Sequence, residues 1–190
     1  MAETRRLRLA LVTGNKHKLR EAQEILSPYG IDLYMAGPEK IEIQADSLSK
    51  IAMVAARHAW ESLGKPLIVD DSGLFIEALN GFPGPYSRYV YDTLGVDGIL
   101  KLLEGEENRH ACFKTAVALV LPPLEMVFEG KTCGTITTRP KGSSGFGFDP
   151  IFVPEGCSRT YAEMTVSEKN KVSHRAKAMK TLGSFIKSMF

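Results

Sequence analysis

Residues 66–73 read PLIVDDSG. Pro66, Leu67, Ile68 and Val69 form a short, apolar, β-rich run, the pattern of a buried strand. Asp70 and Asp71 follow at once, then Ser72 and Gly73, so the acidic pair is expected where the strand ends and the chain turns outward. Carboxylates at a strand end are placed to hold a metal. Mg²⁺ takes hard oxygen ligands, usually one or two carboxylates with waters and substrate phosphates. Asp, Ser and Gly are also ordinary turn residues, so the neighbouring sites must decide between a turn and a centre of phosphate chemistry.

Upstream, Leu7 to Val12 reads as a buried first strand and Lys16 to Leu26 as a helix, with Leu19, Ala22, Gln23 and Leu26 on one face. Pro28 and Gly30 stop it. A second strand is expected over Ile31 to Ala36, then a polar connection containing Glu42 and Gln44. A helix follows from Ser47 to Leu63, with Ile51, Val54, Ala55 and His58 at helical spacing. Downstream, Leu74 to Leu79 fits a short strand or a helical turn, Gly81 to Pro85 a rigid loop, and Val96 to Leu103 a short amphipathic helix. Ala111 to Leu121 and Glu125 to Lys131 are β-branched and apolar and are broken at Pro122 and Pro123, which predicts an antiparallel hairpin. Cys133 to Thr138 would add a third strand. The last helix is expected from about Lys169 to Met189, with Val172, Ala176, Met179, Leu182, Ile186 and Met189 as its buried stripe and Thr165 with Glu168 as a capping box before it. Helices and strands alternate early and strands then run together, the pattern of a mixed sheet with helices on its faces.

The chain has 190 residues, the size of one ordinary domain. At 44% hydrophobic and 24% charged it is globular in composition, and a net charge of +2 offers no basic excess for nucleic-acid binding. Cys112, Cys133 and Cys157 are odd in number and show no CxxC spacing, so neither a disulfide framework nor a cysteine metal site is expected, and a reducing cytoplasm suits them. Met1 to Arg8 is charged rather than signal-like, and no window reaches the roughly 18 apolar residues of a membrane span.

Three further stretches carry chemistry. Thr13, Gly14, Asn15, Lys16, His17 and Lys18 join the first strand to the first helix, where free N–H groups, a helix dipole and cations can receive phosphate. The spacing is neither a P-loop nor a dinucleotide turn, and an ordinary connection with solvated lysines fits it too. Lys169, Ser173, His174 and Arg175 put cations at a helix start, against the dipole; an anionic or carbonyl-rich partner would resolve the conflict, and Glu168 with water would offset the charge equally well. Gly145, Phe146, Gly147, Phe148, Asp149 and Pro150 alternate aromatics with glycines, which suits either a purine slot or a core-packing turn.

TGNKHK near the start, Glu42 with Gln44, DDSGL at 70–74, PGPYSRY at 83–89, FGFDPIF at 146–152 and EKNKVSHR at 168–175 together resemble the inosine triphosphate pyrophosphatase family, in the family's order and over nearly the whole chain. The resemblance implies an α/β fold, one domain with a long mixed sheet, flanking helices and two lobes around a central cleft. It also implies a homodimer and Mg²⁺-dependent hydrolysis of ITP, dITP and XTP to the monophosphate and pyrophosphate. Carried over by position, Thr13, Gly14, Asn15, Lys16, His17 and Lys18 hold phosphates. Glu42 and Asp71 serve the metal, Asp71 is general base or mainly ligand, and Ser72 contacts substrate. Arg88 falls where the family has a basic residue. Phe146, Gly147, Phe148, Asp149, Lys169, His174 and Arg175 match the nucleotide and base site, with Arg175 and loop backbone donors reading the 6-oxo group. Two positions depart from the pattern: Ala55 stands where many relatives carry a substrate-binding lysine, and Phe148 stands where Trp or Tyr is frequent. A pyrophosphatase for other modified nucleotides and a non-catalytic nucleotide-binding module are the alternatives. The purine-stacking loop argues against the first, and intact Glu42 and Asp71 against the second.

Overall fold

The computed structural model describes residues 6–189; of the charged opening stretch, residues 1–5 lie outside the described residues, as does Phe190. The elements in order are β1 (Leu7–Leu11), α1 (Lys16–Leu26), β2 (Ile31–Met35), α2 (Leu48–Leu63), β3 (Leu67–Ile76), β4 (Pro83–Gly84), α3 (Ser87–Thr93), α4 (Gly95–Leu102), β5 (His110–Leu121), β6 (Leu124–Ile136), β7 (Phe152–Pro154), α5 (Val166–Val172) and α6 (His174–Met189). The sheet runs β2-β1-β3-β5-β6-β7, with β4 paired to β3. It is mixed as expected: β1 pairs in parallel with β2 and β3, while β4 on β3 and β7 on β6 are antiparallel.

The chain divides into two compact units, residues 1–71 with 115–130 and 175–190, and residues 72–114 with 131–174. In the first, β1, β2 and the start of β3 bury Leu9, Leu11, Ile31 and Ile68 against Ala22, Ile25 and Leu26 of α1 and Ala176, Met179, Leu182 and Ile186 of α6. The second has its own core, where Leu74, Ile76, Phe113, Phe148, Phe152 and Tyr161 meet Val90 of α3 and Ile99 of α4.

Four sequence expectations change. The strand does not end at Asp70: β3 continues through Asp71, Ser72 and Gly73 to Ile76. A Cβ at Gly73 would lie 2.2 Å from the Gly84 carbonyl oxygen, so this glycine serves close strand approach rather than a turn, and Leu74 and Phe75 pair with Gly84 and Pro83 just beyond it. There is no separate strand at 133–138, because β6 runs unbroken to Ile136, with Gly134 letting β7 approach closely. The last helix is two: Ser173 takes an extended conformation (φ −75°, ψ 152°), closing α5 and leaving Lys169 on a different helix from His174 and Arg175. Val172 therefore packs on the second unit's core, and Met189 is exposed. Finally, Cys112 and Cys133 form a disulfide, with Cα atoms 3.9 Å apart. They face each other on neighbouring strands, a proximity that their spacing along the chain does not reveal.

Candidate active site

Asp70 and Asp71 are both buried, and two carboxylates cannot stay ionised there without cations. Each has its own. The Arg175 guanidinium donates through Nε to Asp70 Oδ2 at 2.8 Å and through Nη1 to Glu21 Oε2 at 2.6 Å. The Lys18 ammonium pairs with Asp70 Oδ1 and donates to the Asp70 carbonyl at 3.3 Å. Burial alone would raise the Asp70 pKa, but the Arg175 and Lys18 charges outweigh it and hold the carboxyl well below the usual carboxylate range. Burial alone would likewise lower the Arg175 pKa, and Asp70 and Glu21 hold it above its ordinary value. Lys18 is shifted the other way, lowered because burial outweighs the attraction of Asp70. The cation at the start of α6 thus finds its anionic partners inside the protein.

Asp71 projects to the other face of β3, as alternation along a strand requires. Lys40, in the polar connection before α2, donates to Asp71 Oδ1 and to Glu42 Oε1, the latter at 3.2 Å. One ammonium therefore touches both carboxylates expected to hold a metal. Burial pushes the Asp71 carboxyl up, with Lys40 opposing it. Burial would lower Lys40, and the attraction of Asp71 and Glu42 raises it instead. The two carboxylates supply hard oxygen donors within reach of a single cationic centre, a set that fits Mg²⁺.

The Thr13 to Lys18 turn is built by its own side chains. Thr13 Oγ1 accepts from the Asn15 N–H at 3.1 Å, and Asn15 Oδ1 caps α1 by accepting from the N–H groups of His17 and Lys18 at 2.9 and 3.3 Å. Gly14, Lys16 and His17 are exposed, and a Cβ on Gly14 would meet only open space. Of the expected phosphate-binding residues, Lys18 is thus spent on Asp70, whereas Gly14, Lys16 and His17 face solvent.

In the second unit, Lys169 is buried and donates to Asp149 Oδ2 at 2.6 Å, with its ammonium 4.8 Å from the Phe146 ring centroid and 5.3 Å from that of Tyr161. Asp149 also accepts from the Phe146 N–H at 2.9 Å, which shapes the loop. His174 stacks on Phe113 with centroids 4.7 Å apart and planes at 10°. The two loop aromatics part company. Phe148 is buried in the core, edge-on to Tyr91 at 5.6 Å, while Phe146 and Gly147 are half-buried. Phe148 is therefore a core anchor, whereas the half-buried Phe146 ring carries the Lys169 ammonium over its face. Ser72 is half-buried at the second unit's start. Arg88 is exposed on α3, 2.5 Å from Asp92.

Two residues outside the sequence-derived site belong to these networks. Lys40 could have been suspected from its place two residues before Glu42, since i and i+2 share a face in an extended segment. Glu21 could have been noticed as an acid next to Ala22 on the apolar side of α1; with only 3% exposure it needs a buried cation, which is Arg175. Ala55 is a core residue of α2 and supplies no cation.

The Ham1 family model matches residues 9–185. A dITP/XTP pyrophosphatase of Methanopyrus kandleri is 52% identical over 183 residues, covering 96% of this chain and 97% of that protein. One from Thermococcus kodakarensis is 49% identical over 181 residues, covering 95% and 98%. Among solved structures, a HAM1 protein from Coxiella burnetii superposes with a TM-score of 0.84 at 34% identity, covering 96% of this chain and 99% of that one.

Proposed function

This chain belongs to the Ham1 family, and on that premise we propose that it hydrolyses dITP, ITP and XTP to the monophosphate and pyrophosphate, clearing non-standard purines from the nucleotide pool. It is a hydrolase of nucleoside triphosphates. The observation that supports the assignment to particular residues is the Lys40 ammonium between Glu42 and Asp71, with both carboxylates in contact with that one cation.

Glu42 and Asp71 would hold Mg²⁺. When bound, the ion neutralises phosphate charge and polarises the phosphoryl oxygens. Asp71 orients the attacking water and takes its proton. Lys16, His17 and the exposed backbone of Gly14, at the start of α1, receive the triphosphate with help from the helix dipole. Thr13 and Asn15 fix that turn, and Lys18 holds Asp70. Lys40, freed from the carboxylates, supplies the phosphate cation that Ala55 does not. Ser72 and Arg88 are additional substrate contacts. Phe146 stacks on the base; Gly147 lets the chain pass it closely, and Asp149 with Lys169 holds the loop in shape. His174 and Arg175 favour a 6-oxo purine, because hydrogen-bond donors there would meet the donor of adenine's 6-amino group. Built polar contacts of this kind discriminate by about 10⁴ or more, against 10 to 200-fold for apolar fit.

We read the chain as one domain of two lobes, supported by β3, β5 and β6 each passing from one unit into the other. No helix among the described residues is long and apolar enough to cross a membrane. The cytoplasm, where nucleotide pools turn over, is the setting we assign, and a homodimer the assembly.

Pyrophosphate release from ITP, XTP, ATP, GTP and dUTP, with and without Mg²⁺, tests this. Metal-dependent release from ITP and XTP, with ATP spared, is expected. Asp71→Asn should abolish turnover in a protein that stays folded, and near-normal ITP hydrolysis by that variant would sink the residue assignment.

A further inference from the structure

A second cluster of metal-ligating side chains lies in the second unit, and the hydrolysis described above uses none of it. His110 and Cys112 stand two residues apart at the start of β5, on one face of the sheet. Cys133 on β6 is bonded to Cys112. The ligand atoms of His110, Cys112 and Cys133 all lie within 4.8 Å of one another. Two carboxylates border them. Glu77, immediately after β3, places Oε2 3.0 Å from His110 Nδ1. Glu155, immediately after β7, places Oε1 3.7 Å from His110 Nε2, and its own N–H donates to the Cys133 carbonyl at 3.0 Å. The ends of four strands thus bring two sulfurs, an imidazole and two carboxylates together.

We propose that, with the Cys112–Cys133 bond reduced, this cluster is a second metal site, for a borderline-soft divalent cation of the Zn²⁺ class. A disulfide needs neither an imidazole nor carboxylates around it, whereas Zn²⁺ accepts both as ligands beside thiolates. Zn²⁺ takes thiolate, imidazole and carboxylate ligands in a tetrahedron. Glu77 occupies Nδ1, the carboxylate–histidine arrangement that fixes the ring and leaves Nε2 as the metal ligand. With metal–nitrogen and metal–oxygen bonds of about 2.0–2.2 Å, two ligands of a tetrahedral ion lie roughly 3.3–3.6 Å apart. The 3.7 Å from Nε2 to Glu155 is close to that, so Glu155 is the fourth ligand after a small movement. The ligand sets of the two sites sort their ions, since thiolates and imidazole select zinc while Glu42 and Asp71 offer only the oxygen that suits magnesium.

The chemistry balances. A dithiol reductant gives two electrons to the Cys112–Cys133 bond, leaving two thiols on the protein and a disulfide in the reductant; cation binding then expels the two thiol protons. Disulfide and bound metal are mutually exclusive states of the same two sulfurs.

Co²⁺ is the spectroscopic probe. Full-length protein is reduced with a dithiol, freed of it under argon, and titrated. We expect one equivalent to produce a thiolate-to-cobalt charge-transfer band with tetrahedral ligand-field absorption, and Zn²⁺ to abolish both. Cys112→Ser and Cys133→Ser should remove the band, and His110→Ala should weaken binding by about tenfold or more. Oxidised wild-type protein should show no band. Absence of the band in reduced wild-type protein overturns the proposal, as does a band that survives loss of either cysteine or binding that His110→Ala leaves unchanged. Circular dichroism, rather than turnover, verifies that each variant is folded, so the result stands whether or not ITP is hydrolysed.

Discussion

Arg175 stands at the positive end of a helix dipole, the wrong place for a cation by local rules, yet it is fully buried between Asp70 and Glu21. Removing one partner of such a network leaves uncompensated charge inside the protein and typically costs about 3–5 kcal/mol. Arg175→Ala is therefore expected to lower unfolding stability by roughly that amount, as well as to relax the preference for ITP over ATP. Urea denaturation beside the substrate panel reads both effects, and an unchanged midpoint would remove Arg175 from the structural role. Lys40 makes a different prediction, because it occupies the position between the two carboxylates assigned to the metal. On the proposal that Glu42 and Asp71 hold Mg²⁺, Lys40→Ala deletes a competitor of the ion. The ion concentration giving half-maximal rate should fall about tenfold, the equivalent of a charged hydrogen bond of roughly 1.5 kcal/mol, while the maximal rate falls because a phosphate contact is lost. A higher magnesium requirement in that variant would instead make Lys40 an organiser of the carboxylates.

Helix α5 shows how far local signals reach. Its capping box was legible in the sequence: Thr165 Oγ1 accepts from the Glu168 N–H and the Glu168 carboxylate accepts from the Thr165 N–H. The hydrogen bond from Arg159, with those from Thr165, pushes the Glu168 carboxyl down to about 2 from the ordinary 4.5. A carboxyl lowered on folding stabilises the native state fully above its unfolded value, and the gain is lost as pH falls through the folded one. The difference in melting temperature between wild type and Glu168→Gln should thus be constant above pH 4.5 and shrink between 4.5 and about 2; a difference independent of pH would count against the cap. The bounds of α1 and α2 and the β5–β6 hairpin were equally legible, since propensity, periodicity and punctuation agree there. What escaped was decided by distant partners. The continuation of β3 past Asp71 depends on Gly73 meeting Gly84, and the break at Ser173 falls where the chain passes from the second unit's core to the first's. Neither leaves a trace in local periodicity.

Across the whole chain, the residue types of the site were readable but their partners were not. Glu42, Asp71 and the Thr13 to Lys18 turn are proposed from motifs, whereas the Lys40–Asp71 and Glu21–Arg175 pairs form because folding brings remote charges together. Phe148 moved from proposed stacking ring to core because burial cannot be read from an alternating loop. The same limit applies to assembly, where the relevant signal is exposed apolar surface. Phe82, Tyr86, Tyr89 and Leu94, around α3 in the second unit, all carry substantial exposure, and Tyr89 reaches 70%. Aromatic rings concentrate at protein interfaces because they bury much area at little entropic cost. A homodimer built on this face would cover them. Tyr89→Glu would place a charge in that contact, where it could be desolvated only at a cost of several kcal/mol. Sedimentation equilibrium should give wild-type protein twice the chain mass and the variant a mixture shifted toward the monomer. A variant that remains fully dimeric at micromolar concentration would locate the dimer contact on another surface.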